Sequence, residues 1–103
     1  MTTDVARTEV LRLIEEENAQ LVDVLPEAEY TETHIPGAIN IPLAELQQRL
    51  DEIPRDQQIV VVCASGSRSI SGSEVLGYAG FSEVYNLNGG TMTWMMGMRP
   101  LAR

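Results

Sequence analysis

The stretch Ile59-Val60-Val61-Val62-Cys63-Ala64-Ser65-Gly66-Ser67-Arg68-Ser69 sets the only cysteine of the chain between an apolar run and a loop of small residues closed by arginine. A thiol turns nucleophilic where its surroundings favour the thiolate, and this stretch offers three such influences. Backbone N–H groups of a small-residue loop can turn inward on an anion. A helix opening at Ser69 brings its positive dipole end to the sulfur. The guanidinium of Arg68 adds several donors in a fixed fork. The expectation is a lowered thiol pKa and an exposed, nucleophilic thiolate at Cys63, with Arg68 holding an anion. A lone cysteine is otherwise a small buried hydrophobe. The strand ahead of Cys63 decides for reactivity, because ligand sites of parallel sheets lie at the carboxyl ends of strands.

Other residues able to do chemistry are assigned structural work. His34 is a conceivable base for Cys63 in a Cys–His arrangement. It sits in the turn block His34-Ile35-Pro36-Gly37, however, and no Asn or Asp is placed to complete such a triad. Asp23 ends an apolar segment, where a carboxylate commonly fixes the next loop through backbone hydrogen bonds. Met92, Met95, Met96 and Met98 contain the thioethers of a copper(I) site. Their helical spacing beside Trp94 reads instead as core packing or the wall of a small pocket. No Cys/His spacing of the zinc type occurs, so no metal is expected.

The elements that must position Cys63 follow from the hydrophobic pattern. Arg7 to Glu17 has Val10, Leu11, Leu13 and Ile14 at helical spacing. The acidic run Glu15-Glu16-Glu17 opposes the helix dipole, so this end is expected to fray. Leu21 to Val24 reads as a short buried strand, and Pro26 opens a helical turn through Tyr30. His34 to Pro42 is a loop and short strand. Leu43 to Leu50 is a second amphipathic helix, with Leu43, Leu46 and Leu50 on one face. Ile59 to Val62 is the buried strand that delivers Cys63. Ser69 to Gly80 is the helix after the loop, with Ser69 and Ser71 as caps and Gly72 and Gly77 allowing close packing on the sheet. Val84 to Leu87 is a further strand, and Gly89-Gly90 turns into a last helix carrying Trp94. Alternating strands and helices give an α/β fold with a central parallel sheet and helices on both faces.

The chain has 103 residues, enough for one domain, taken here as residues 1–103. Its formal net charge of −8 argues against a nucleic-acid partner. The acidic excess lies in residues 1–58, and the half holding Cys63 is free of it and would not repel an anionic substrate. No span of membrane length and no basic-apolar leader occur, so no membrane partner and a cytoplasmic location are expected. One cysteine forms no internal disulfide, which suits a reducing compartment. The chain has no lysine, and no function is attached to that.

The cysteine loop resembles that of the rhodanese sulfurtransferase family, whose pattern is Cys-x-x-Gly-x-Arg-Ser/Thr. Leu21-Val22-Asp23-Val24 with His34-Ile35-Pro36-Gly37-Ala38-Ile39-Asn40-Ile41-Pro42 resembles its N-terminal signature. Gly89-Gly90-Thr91-Met92-Thr93-Trp94 resembles its C-terminal Gly-Gly-x-x-x-Trp turn. Two positions depart from the pattern: Leu25 replaces a usual arginine and Thr33 a usual glycine. The resemblance implies a single rhodanese-like domain that moves sulfane sulfur through a persulfide on Cys63. The donor would be a small anion such as thiosulfate, and the acceptor cyanide, a small thiol or a protein thiol. Ala64, Ser65, Gly66, Ser67, Arg68 and Ser69 would bind substrate and hold the persulfide anion, with no cofactor, in a monomer. Arg68 follows Cys63 by five positions, the shorter sulfur-handling loop rather than the longer loop of related phosphatases. A non-enzymatic sulfur carrier or regulatory module on the same scaffold is the alternative, to which Ala64 points. Family members active on thiosulfate often carry a cation after the cysteine.

Overall fold

Ile59–Val62 form β4, and all four side chains are buried, as an unbroken β-branched run requires when a strand is covered on both faces. The computed structural model describes residues 2–64 and 68–96. The other strands are β1 (Thr2–Val5), β2 (Gln20–Asp23), β3 (Ile39–Asn40) and β5 (Val84–Leu87). They assemble in the order β1-β5-β4-β2-β3, every neighbouring pair parallel. β4 is therefore central, and its carboxyl end opens between two strands rather than at an edge.

The alternation of side chains along β4 divides the core in two. Ile59, Val61 and Cys63 face one side with Val22, Val24, Leu46 and Leu76; Val60 and Val62 face the other with Val10, Leu13, Ile35 and Trp94. The first face is covered by α3 (Arg68–Tyr78) and by a 3₁₀ segment at Leu43–Gln48. The second is covered by α1 (Arg7–Glu17) and α4 (Gly90–Met96), with the short α2 (Glu27–Glu32) between β2 and β3. The expected α/β architecture with helices on both faces is thus the observed one.

Several local expectations change. β1 was not anticipated: Thr2–Val5 is too short and polar to show a strand pattern, and it gains its place by pairing with β5. The segment expected as an amphipathic α-helix from Leu43 to Leu50 is two 3₁₀ turns, Leu43–Gln48 and Leu50–Glu52. Leu43 and Leu46 lie three apart and align on one face in a helix of three residues per turn. The acidic end of α1 is closed rather than frayed. Asn18 adopts the left-handed conformation at φ 56°, and its N–H and that of Ala19 both reach the Leu13 carbonyl. α3 begins at Arg68, so Ser69 and Ser71 lie inside its first turn instead of capping it.

The two glycines of α3 do different things. A Cβ on Gly72 would meet Val24 Cγ1 and Val61 Cγ1, both at 3.2 Å, so this residue lets the helix approach the sheet as expected. Gly77 has open space around it and permits no close packing. Gly77→Ala should therefore stabilise the protein by about 0.5–1 kcal/mol through helix propensity. Gly72→Ala sets a methyl group 3.2 Å from two buried valines and should leave the protein about 1–3 kcal/mol less stable than Gly77→Ala does. Urea denaturation of the two variants reads the difference.

Candidate active site

Cys63 sits one residue beyond β4, and its backbone is fixed by the start of α4. Thr91 N–H donates to the Cys63 carbonyl at 2.8 Å, and Met92 N–H to the Ala64 carbonyl at 3.1 Å. The Thr91 hydroxyl adds a longer contact to the Cys63 carbonyl at 3.3 Å. Such an approach needs glycine at the turn. Gly89 and Gly90 have φ of +82° and +59°, and a Cβ on Gly90 would collide with the Cys63 carbonyl oxygen and lie 2.8 Å from Ala64 C and O. The sequence reading gave this glycine pair a turn and missed its contact with the cysteine. The signal was the doubled glycine directly before a helix.

The Cys63 side chain is buried, with 0% of its surface accessible, which corrects the expectation of an exposed thiolate. It continues the α3-facing row of β4 and is enclosed by that layer of the core. Its Sγ lies 3.4 Å from the Ser69 hydroxyl, with the thiol donating. Ser69 is buried, and its hydroxyl donates to Asn86 Oδ1 on β5. Asn86 Nδ2 donates in turn to Asp4 Oδ1 on β1 at 3.0 Å. The Ser69 carbonyl accepts the Ser73 hydroxyl at 2.8 Å. Asn86 and Asp4 were absent from the expected site. The available signal was a polar residue inside the otherwise apolar strand Val84–Leu87.

Arg68 stands at the mouth of the site, more than a third exposed, and its Nη2 lies 3.2 Å from Glu29 Oε1 on α2. An exposed pair of this kind contributes roughly 0–1 kcal/mol, so an arriving anion can compete for the guanidinium. Glu29 also lines a groove of about 180 Å³ with Leu25, Glu32, Thr33, Ala64, Thr91 and Met92. Met92 is 59% exposed and forms the wall of this small pocket rather than core. Met98 and the side chains of Met95 and Met96 lie outside the described residues, as do Ser65, Gly66 and Ser67 of the expected cradle. His34 stacks on Tyr30 with ring centroids 3.7 Å apart, and its Nδ1 lies 2.8 Å from the Tyr30 carbonyl. Among the described residues no group of three or more His, Cys, Asp or Glu could hold a metal ion. None of their helices is long and apolar enough to cross a membrane.

Asp23 is buried at the end of β2, where its Oδ1 accepts the Leu25 N–H at 3.0 Å. Its Oδ2 has no hydrogen-bond partner among the described residues. Burial raises its pKa above the ordinary carboxyl value, more than the Leu25 N–H, His34 and Arg68 lower it. The folded protein then binds this proton more tightly than the unfolded chain. The contribution of Asp23 to stability is full below the ordinary value of about 3.9 and declines as pH rises through the folded value. Asp23→Asn keeps the accepting oxygen and removes the charge. Its stability relative to the unmodified protein should improve from pH 4 to pH 8, as urea unfolding across that range would show. A difference that stays constant with pH would contradict the assignment.

The profile of the rhodanese-like domain family matches residues 6–96. A sulfurtransferase of Allochromatium vinosum is 37% identical over 83 residues, covering 81% of this chain and 78% of that protein. A thiosulfate sulfurtransferase of Coxiella burnetii is 31% identical, covering 91% and 88%. Three further relatives are longer, the chain spanning 43–60% of their length. Among solved structures, a rhodanese-related protein from Thermoplasma volcanium superposes with a TM-score of 0.86 at 26% identity, covering 96% of each chain. With a buried cysteine at the end of its central strand and this match over most of its length, the chain belongs to the rhodanese-like sulfurtransferase family.

Proposed function

We propose that the protein transfers sulfane sulfur through a persulfide on Cys63, with thiosulfate or a chemically similar small anion as donor. The observation that carries this reading is the thiol itself, held at the carboxyl end of the central parallel strand beneath the helix that Arg68 opens. In the first step the Cys63 thiolate attacks the outer sulfur of thiosulfate. The S–S bond of the donor breaks, and sulfite leaves with the bonding pair. In the second step a thiophilic acceptor, cyanide or a thiolate, attacks the terminal sulfur of the persulfide. The Cys63 sulfur leaves as thiolate, so the cycle closes without an external oxidant or reductant. Backbone amides of 64–69 would hold the persulfide anion as donors hold an oxyanion. The relative named as a thiosulfate sulfurtransferase supports this choice of donor.

Cys63→Ser is close to isosteric and should leave the fold intact while abolishing sulfur loading. Intact mass spectrometry after exposure to thiosulfate should find one added sulfur atom on the unmodified protein and none on the variant. Loading that persists in the variant would refute the mechanism.

Arg68→Ala removes a charge-assisted contact to the donor and should lower kcat/KM for thiosulfate by about ten- to a hundredfold. Arg68→Lys should recover only part, because the planar fork is lost. Releasing Arg68 from its ion pair acts in the opposite direction. Glu29→Gln should raise kcat/KM for thiosulfate by a factor of about two to five, since an exposed pair is worth up to about 1 kcal/mol. Steady-state kinetics with thiosulfate and cyanide measures all three.

A further inference from the structure

The hydrogen-bond chain behind Cys63 has a direction, and the direction follows from which groups carry protons. The Asp4 carboxylate only accepts, so the Asn86 amide must turn its NH₂ toward Asp4. That leaves Asn86 Oδ1 facing Ser69, and an amide oxygen has no proton to give. The short contact between these two oxygens is then bridged by the one proton of the Ser69 hydroxyl. Toward Cys63 the Ser69 oxygen has only lone pairs left, and the partner it accepts is S–H. The opposite amide orientation would set the Asn86 oxygen against the Asp4 carboxylate.

From this we infer that Asn86 and Asp4 are positioning residues of the Cys63 site, committing the Ser69 proton away from the sulfur and holding the resting residue as a thiol. To stabilise a thiolate, Ser69 must rotate and donate to sulfur. It must give up its hydrogen bond to the buried Asn86 Oδ1 to do so, and that exchange opposes ionisation of the sulfur. The proton released from sulfur leaves to a solvent base. The relay thus opposes Arg68, whose charge favours the thiolate. Among the described residues, Asp23 ends the neighbouring strand β2 and interacts with Arg68, His34 and Glu29. None of these belongs to the relay, so they form a constant background when the relay is cut. The consequence for turnover rests on the persulfide mechanism proposed above. The proton geometry does not.

The thiol titration tests the relay directly, by ultraviolet thiolate absorbance against pH. The chain has one cysteine, so the thiolate signal has a single source. Tyr30 and Tyr85 are shifted upward by burial, which moves their ionisation away from the thiol range. Asn86→Leu, similar in size and without an acceptor, frees the Ser69 proton for sulfur. The inflection should fall by about one pH unit, the difference between one charge-assisted and one neutral hydrogen bond. Asp4→Ala, at an exposed position, should shift it in the same direction by letting the amide turn round. Should Asn86→Leu fail to fold, Asp4→Ala carries the test.

Both shifts must vanish in a Ser69→Ala background, because the relay acts only through that hydroxyl. An unchanged or raised inflection in both variants, or shifts that persist without Ser69, would overturn the inference. Persistence would mean that Asp4 acts through space by its charge. If the proposed mechanism also holds, sulfur loading by Asn86→Leu should be up to about tenfold faster below the inflection of the unmodified protein and equal above it. A protein that takes no sulfur from thiosulfate at any pH would refute the functional proposal, and the titration would still decide the relay.

Discussion

Two backbone hydrogen bonds, from Thr91 N–H to the Cys63 carbonyl and from Met92 N–H to the Ala64 carbonyl, tie the last helix to the end of the central strand. Each serves both partners. The residues leaving β4 have no strand partner for these carbonyls, and the first N–H groups of α4 have no intrahelical acceptor. Joining them satisfies both sets of groups. The contact is possible only because Gly90 lacks a Cβ and tolerates a positive φ. Trp94, one turn along α4, then seals against Val60, Val62 and Leu87 on the sheet face opposite Cys63. The cysteine is therefore held from both sides of the sheet, by α3 on its own face and by α4 through its backbone.

The second feature of the site is its polar interior. Cys63, Ser69, Asn86 and Asp4 run from the central strand across β5 to the edge strand β1. A buried polar chain is tolerated when its members pair, and this one ends on an exposed carboxylate that solvent can reach. Asp23 is the contrasting case. One oxygen is used on the Leu25 amide, the other has no hydrogen-bond partner among the described residues, and burial favours its protonated form. The family pattern places an arginine where this chain has Leu25. The apolar Leu25 joins the core cluster and offers Asp23 a backbone donor but no cation.

The mouth of the site is more acidic than its half of the chain suggests. Charge counted along the sequence placed the acidic excess away from Cys63, yet α2 folds Glu29 and Glu32 over the groove beside Ala64. Arg68, the cation expected to face a substrate, is met by one of them. Linear charge balance could not show this, because Glu29 and Arg68 lie 39 positions apart and are brought together by the parallel crossover that sets β2 beside β4.

By itself the sequence determined the layered α/β plan and the place of the cysteine. An unbroken β-branched run has to be a central, doubly covered strand, and the small-residue loop after it has to lie at that strand's carboxyl end. The limits of α1 and β5 were also legible, since their apolar periodicity is local. Tertiary structure alone decided the rest. β1 is a strand only because β5 offers it an edge, and Leu43–Gln48 forms 3₁₀ turns with Leu46 packed against Gly72 of α3. Whether the thiol would be open or enclosed, and which way the Ser69 proton points, depended on residues distant in the chain. Burial and hydrogen-bond direction are properties of assembled neighbours, and no window of sequence around Cys63 contains Asn86 or Asp4.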